Sequence, residues 1–310
     1  MSKLPTAILG RTGLAVSKLG YGAMELRGTD HFPRLLPAEA SALLNTVLDS
    51  GINYIDTSPD YGYSEEIIGR HLAHRRDEFF LASKCGCPVE PAELAHRDRK
   101  PHSFTRGNVR AGVEQSLKRM QTGYLDIVQF HLSPSRAVLE ENDSLAELEA
   151  LRDEGKIRFV GMSGTLPELP EQIEMGVFDV FQVPYSLVER EHEALIHEAA
   201  RAGAGIVIRG GVARGVIVKD EAVIDEYPQF LQAGFRVRRR RWRETEVADL
   251  LDGMSPMEFM LRFTLSHPDM TTTIVGTANP AHLKDNVRAA AKGPLPADVR
   301  EAALRRFSGV

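Results

Sequence analysis

Ile52-Asn53-Tyr54-Ile55-Asp56-Thr57-Ser58-Pro59-Asp60-Tyr61-Gly62-Tyr63-Ser64-Glu65-Glu66 is the stretch whose reading decides the fold. Its first four residues form an apolar run and read as a short buried strand. The following Ile67-Ile68-Gly69-Arg70-His71-Leu72 reads as a helix. Ser64 suits its N-cap, and Glu65 and Glu66 fall in the first turn, where carboxylates favour the positive helix end. Asp56 therefore stands at the C-terminal tip of a strand, with Tyr61 in the loop beyond it. Parallel α/β folds place their chemistry at such tips and loops.

Working outward, residues 6–19 read as a hairpin: Ala7-Ile8-Leu9 and Leu14-Ala15-Val16 flank Gly10-Arg11-Thr12-Gly13. A strand follows at 18–23, and Ala40, Leu43, Leu44, Val47 and Leu48 give residues 38–50 helical spacing up to Gly51. Seven further strands are expected at Asn53–Asp56, Phe79–Lys84, Ile127–His131, Ile157–Ser163, Val180–Pro184, Gly205–Ile208 and Thr272–Val275. Helical patterns separate them, at 65–73, 105–120, 143–154, 166–175, 190–202, 256–266 and 280–290, and a last helix is expected near 297–306. Eight strand–helix units predict an α/β fold, a (β/α)8 TIM barrel with an N-terminal β-hairpin and a long loop after the seventh strand, spanning 1–310 as one domain. A doubly wound sheet is the alternative. Against it, Gly20-Tyr21-Gly22 lacks a third glycine and opens no helix. Two connections are long, 85–104 and 209–255, and long loops on a barrel are commonly functional.

The 310 residues are 43% hydrophobic, which supports a large core, and carry a net charge of −5, which gives no global field for nucleic acid or an anionic membrane. Two cysteines exclude a disulfide framework and point to a reducing cytosol. No stretch approaches the ~18 apolar residues of a membrane span, and Met1-Ser2-Lys3-Leu4-Pro5 shows no targeting pattern. The expected location is cytoplasmic, with no nucleic-acid or membrane partner; the oligomeric state is not readable.

If the strand C-termini share one face, that face carries Asp56, Lys84, His131, Ser163 and Gln182, with Tyr61 and Tyr185 in the adjoining loops. Each residue alone has a structural explanation: a turn cap, a solvated lysine, a core histidine, a packed tyrosine. Packing alone does not call for polar groups at so many apolar strand ends. A tyrosine hydroxyl, with an ordinary pKa near ~10, is a poor acid at neutral pH, and a neighbouring ammonium favours its phenolate. A carboxylate can hold that ammonium, and a neutral imidazole can hydrogen-bond a carbonyl oxygen. Together they make a proton donor and an oxyanion pocket. No nucleophile is paired with a base and no His/Asp/Glu metal cluster is evident, so no metal is expected and an external hydride donor would complete the reaction.

At these residues the chain resembles the aldo-keto reductases. The resemblance runs from the hairpin to about residue 290. It is most specific at Gly51-Ile52-Asn53-Tyr54-Ile55-Asp56-Thr57-Ser58 with Tyr61-Gly62, at Ser83-Lys84, and at Asp126-Ile127-Val128-Gln129-Phe130-His131. It implies NAD(P)H-dependent reduction of a small-molecule carbonyl, an aldehyde or ketone. Tyr61 would be the general acid, Lys84 the cation that makes it a better one, Asp56 the holder of Lys84, and His131 the group orienting the carbonyl. Tyr63 does not fit the motif. Ser163 and Gln182 would bind the nicotinamide carboxamide and Tyr185 would stack on the ring, while Gly164 stands where the family has asparagine. Val212, Ala213 and Gly215 match the pyrophosphate loop, with Gly210-Gly211 replacing Ser-Pro. Gly276, Thr277, Asn279, Asp285 and Asn286 match the adenosine end. NADP(H) is the expected cofactor and NAD(H) the alternative, since Gly276 and His282 stand where a 2′-phosphate would meet Lys or Arg.

Two alternatives accompany this reading: oxidation of a polyol or sugar, and a low-turnover cofactor-binding regulatory module, which the departures at Gly164 and Gly210-Gly211 motivate. Cys85-Gly86-Cys87 lacks a second ligand pair and reads as structural thiols near the pocket rim. The run Arg236-Val237-Arg238-Arg239-Arg240-Arg241-Trp242-Arg243 reads as a solvated loop, or as a cover over cofactor or an acidic substrate. Substrate choice is expected to lie in the loops Met24–Pro33, Gly86–Pro101 and Gly215–Gly253.

Overall fold

The structure, a computed structural model, describes residues 4–28, 34–91, 101–227 and 229–307. Parts of the loops Met24–Pro33 and Gly86–Pro101 therefore lie outside the described residues. A two-stranded antiparallel hairpin, β1 (Thr6–Ile8) and β2 (Ala15–Ser17), precedes eight parallel strands that close into a barrel. Those strands are β3 (Leu19–Gly22), β4 (Tyr54–Asp56), β5 (Phe80–Cys85), β6 (Leu125–Phe130), β7 (Ile157–Ser163), β8 (Val180–Pro184), β9 (Gly205–Arg209) and β10 (Thr272–Val275). Pairing of β10 with both β9 and β3 closes the ring. The expected strands are all present, displaced at their ends by at most two residues.

The hairpin plugs the end of the barrel opposite the site. Its Leu9, Leu14 and Val16 are buried in one cluster with Tyr54, Ala82, Ile127, Val180 and Val207. Gly10, at φ +50°, approaches β9 so closely that a Cβ would lie 2.2 Å from the Gly205 nitrogen, so only glycine fits there. The larger core lies between the barrel and its helices.

The helices of the outer layer begin with α1 (Pro37–Asp49), α2 (Ser64–Leu72) and α3 (Arg106–Met120). Where one helix was expected over 143–154, α4 (Arg136–Glu141) and α5 (Ser144–Asp153) follow β6. Next come α6 (Leu169–Glu174) and α7 (Glu193–Arg201). The 209–255 segment is not a plain loop: it holds α8 (Glu221–Asp225) and α9 (Gln229–Glu244). Leu231, Phe235 and Trp242 of α9 recur at helical spacing and pack on the core. The arginine run is thus part of a helix, spread around the sides not packed on the core, and most of its charges are paired. Arg236 bonds Glu221 and Asp225, Arg238 meets Glu189 at 2.6 Å, and Arg241 meets Glu191 at 2.7 Å. The Arg236 pairs tie α9 to α8, and those of Arg238 and Arg241 tie it to the segment after β8. The barrel ends with α10 (Pro256–Leu265), α11 (Pro280–Ala291), capped by the Asn279 side chain, and α12 (Ala297–Phe307). No helix among the described residues is long and apolar enough to cross a membrane.

Candidate active site

Adjacent strands deliver the first three groups. Asp56 ends β4, Lys84 lies in β5 and His131 follows β6; the register sets Asp56 beside Ala82 and Lys84 beside Gln129. Lys84 and Asp56 form an ion pair with Nζ 2.7 Å from Oδ1, both almost wholly removed from solvent. The ammonium also donates to the Thr57 carbonyl at 2.8 Å. The second carboxylate oxygen accepts from Gln129 Nε2 at 2.9 Å and Gln182 Nε2 at 2.7 Å. Burial pushes the Lys84 ammonium towards neutrality, but the charge and hydrogen bond of Asp56, with Tyr61 and Cys87, together outweigh it and hold the lysine above its ordinary value. A permanent cation is therefore built into the barrel mouth.

Tyr61 lies over this pair. Lys84 Nζ is 5.2 Å from the centre of its ring, and the Arg27 guanidinium is 5.1 Å from it. The His131 ring meets the Tyr61 ring edge-on with centres 6.4 Å apart. Burial, reinforced by the Lys84 charge, holds His131 neutral, with its pKa pushed down to about 4. Asp60 carries the opposite charge beside it. Burial works against that charge, and hydrogen bonding to His102 and His131 outweighs it, so Asp60 sits well below the usual carboxylate range. Tyr63 faces elsewhere, with the Arg34 guanidinium 4.1 Å from its ring centre.

A cavity of about 940 Å³ opens from Asp56, Tyr61 and Gln182 and runs past Val212 and Gly215 to Gly276, Thr277, Asn279, Asp285 and Asn286. Three residues expected at the cofactor are not brought to its wall. Tyr185 is wholly buried: its ring stacks on Phe263, with centres 6.1 Å apart, its edge meets His267, and its hydroxyl donates to Glu193. The chain turns after Pro184 and directs the ring into the core. Ser163 is buried in register with Gln182, and Ala213 lies behind the 209–215 turn, donating its N–H to the Gly210 carbonyl. At Gly164 a Cβ would come within 2.7 Å of Leu169 Cδ1 and 2.9 Å of Gln172 Oε1, so a longer residue would have to displace those side-chain ends.

Sequence reasoning missed Gln129, although a glutamine inside an apolar strand, on the same face as Ile127 and His131, was a usable signal. It also passed over Arg209 and Arg214, which line the cavity and flank the glycines read as a phosphate loop.

An eight-stranded parallel barrel with an ion-paired lysine, a tyrosine and a neutral histidine at the mouth of a long cleft defines a (β/α)8 oxidoreductase. Residues 18–303 match the model of the Aldo/keto reductase family, and the chain belongs to that family. It is 25% identical over 303 residues to L-galactose dehydrogenase of Arabidopsis thaliana, covering 93% of this chain and 89% of that one. It is 27% identical over 318 residues to D-threo-aldose 1-dehydrogenase of a Pseudomonas species, covering 94% and 95%. Among solved structures, the holo form of aldo-keto reductase AKR11C1 from Bacillus halodurans superposes with a TM-score of 0.79 at 26% identity, covering 98% and 96%.

Proposed function

We propose that the chain catalyses NADP(H)-dependent reduction of a small aldehyde or ketone to the alcohol. The observation that carries this reading is the buried Lys84–Asp56 pair beneath Tyr61, at the inner end of a cleft whose far wall is the β10–α11 turn. The cleft suits a dinucleotide in chemistry as well as in its volume of about 940 Å³. Arg209 is half-buried, its Nε buried without a partner among the described residues, and Arg214 lies beside it. Burial destabilises both charges, and a neighbouring guanidinium adds to it, Arg214 for Arg209 and Arg238 for Arg214. An anionic group such as a pyrophosphate would relieve that strain. At the other end His282, Arg288 and Lys292 line the wall; Arg288 is paired with Asp285, and Lys292 with Glu258 at 2.8 Å. A 2′-phosphate that took the place of these carboxylate partners would meet Arg288 and Lys292, which favours NADP(H) over NAD(H).

Bound nicotinamide supplies the hydride. Tyr61 gives its hydroxyl proton to the carbonyl oxygen as the carbon accepts the hydride. Lys84, held charged by Asp56, stabilises the phenolate left behind, and solvent returns the proton. His131, neutral at physiological pH, hydrogen-bonds the carbonyl oxygen and fixes its direction. Gln129 and Gln182 act through Asp56, so Gln182 serves as a positioning residue whether or not it also meets the carboxamide.

Titration of the protein with NADPH and NADH tests the reading. Saturable binding is expected, about tenfold or more tighter for NADPH; absence of binding to either overturns it. Tyr61→Phe is expected to keep cofactor affinity and lose ~10²–10⁴ in turnover, the usual worth of a general acid. The same residues serve the reverse reaction. The names of the two dehydrogenase relatives favour sugar or polyol oxidation as the second reading. Assays in both directions, with carbonyls and with polyols, separate the two.

A further inference from the structure

Four metal-ligating side chains from separate parts of the chain meet beside His131. Asp60 comes from the β4–α2 loop, Cys87 from the turn after β5, His102 from the segment before α3, and His131 from the tip of β6. Their ligand atoms all lie within 4.8 Å of one another. His131 Nδ1 is 3.2 Å from Cys87 Sγ, 3.2 Å from His102 Nε2 and 3.3 Å from Asp60 Oδ2. Asp60 Oδ2 is also 3.1 Å from His102 Nε2.

Hydrogen bonds alone do not account for this convergence. One imidazole nitrogen offers either a single N–H or a single lone pair. It cannot satisfy a thiol, a second imidazole and a carboxylate at once. A cation at the centre would use a lone pair from each of the four. Ordinary zinc bond lengths in a tetrahedron set neighbouring donor atoms about 3.3–3.6 Å apart. Four of the six spacings are 3.1–3.3 Å and the other two, from Cys87 Sγ to Asp60 and to His102, lie within 4.8 Å, so small side-chain movements would bring the set to that geometry.

We propose that Asp60, Cys87, His102 and His131 form a binding site for a divalent cation of the zinc class. Two imidazoles and a sulfur ligand select a borderline-soft ion over magnesium or calcium. Binding releases the Cys87 thiol proton to solvent and replaces the S–H bond with a metal–thiolate bond. With the ion on Nδ1, the remaining His131 proton is fixed on Nε2. Occupancy is thereby coupled to the histidine of the candidate active site, and Asp60 ties it to the loop that carries Tyr61. Cys85 takes no part, being wholly buried among apolar side chains. The inference goes beyond the reductase reading and does not rest on it, because metal binding is read without substrate or cofactor.

The test uses the full chain, stripped with chelator and titrated with Co²⁺ and then Zn²⁺. One equivalent of Co²⁺ is expected to give tetrahedral d–d bands in the visible and a thiolate-to-metal band in the near ultraviolet, both erased by Zn²⁺. The expected Zn²⁺ Kd is below about 1 μM. Cys87→Ser is expected to abolish the thiolate band. His102→Asn, which alters a side chain outside the barrel strands, is expected to weaken binding by tenfold or more and carries the test if the Cys87 variant fails to fold. Replacement of the exposed His74 by Asn is expected to change nothing. Absence of tetrahedral cobalt bands at stoichiometric loading overturns the proposal, as does unchanged affinity in His102→Asn.

Discussion

Asp56→Asn probes the part of the site that is most deeply built into the fold. The substitution keeps the shape of the side chain and removes its charge. In the native arrangement the carboxylate receives Lys84 on one oxygen and both Gln129 and Gln182 on the other. Asparagine has one carbonyl oxygen for these three donors. If it faces Lys84, its amide N–H groups confront those of the two glutamines. Rotation of Gln129 relieves part of this, because its Oε1 has no partner among the described residues. The Lys84 charge remains buried without a counter-charge, a defect that costs about 3–5 kcal/mol when one member of a buried pair is removed. At ~2.1 cal/mol/K per residue, 310 residues give an unfolding entropy of about 0.65 kcal/mol/K, so the midpoint should fall by about 5–8 °C.

The pH dependence distinguishes this mechanism from a packing defect. In the native protein Lys84 is held above its ordinary value, so its contribution is complete at neutral pH and is lost only as pH rises through that raised value. In Asp56→Asn, burial acts unopposed and pushes Lys84 below the unfolded value of ~10.5. Over the window between the two values the unfolded chain holds a proton that the folded chain lacks, so the variant gains stability as pH rises. The deficit measured by urea unfolding should therefore shrink between neutral pH and about pH 10. Adding Lys84→Met should recover much of it at pH 7, since both charges are then gone. A deficit below about 1 kcal/mol, or one independent of pH and unrelieved by Lys84→Met, refutes the claim that an uncompensated buried cation is responsible.

Arg209→Met should weaken NADPH binding tenfold or more yet leave the free protein as stable or more so, because it removes a half-buried guanidinium whose buried Nε lacks a partner among the described residues; calorimetry and thermal melting check the two arms. Gly164→Asn should lower stability by about 1–3 kcal/mol through its clash with Leu169 and Gln172, read as a shifted urea midpoint. His267 is held neutral by burial and by its neighbour His197, with its pKa pushed down to about 4 against an ordinary ~6.5. Between those values the unfolded chain takes a proton that the folded chain refuses, so stability should fall as pH drops from 6.5 to 4, by up to about 3 kcal/mol. His267→Gln should show a flatter acid limb in urea titrations than the native chain, and equal slopes would exclude this group.

The barrel was legible because its signal is local. Each strand is a short apolar run followed by a periodic helix, and neither depends on distant residues for recognition. The same local reading explains the error at 209–255. In α9 the core-facing Leu231, Phe235 and Trp242 are outnumbered by arginines, so charge masked the 3.6-residue period. Chain position alone also misplaced Tyr185. A residue just past a strand tip can face the cavity or the helical layer, and the choice depends on space beside Phe263 and His267 that no local pattern encodes.

The site divides along the same line. The convergence of Asp56, Tyr61, Lys84 and His131 was legible because each occupies a strand tip or the loop beyond it, so the fold itself predicts their meeting. Asp60, Cys87 and His102 belong to connections, and no spacing between positions 60, 87, 102 and 131 marks them as neighbours. The short span from Asp56 to Tyr61 nevertheless joins the two groups. Asp56 is held inside the barrel by an ion pair and two amides, while Asp60 is held outside it by two imidazoles. Tyr61 is next to the outer anchor and over the inner one. Its position therefore depends on both, and a cation bound as proposed at Asp60 and His131 would act on the tyrosine loop and on the His131 ring together.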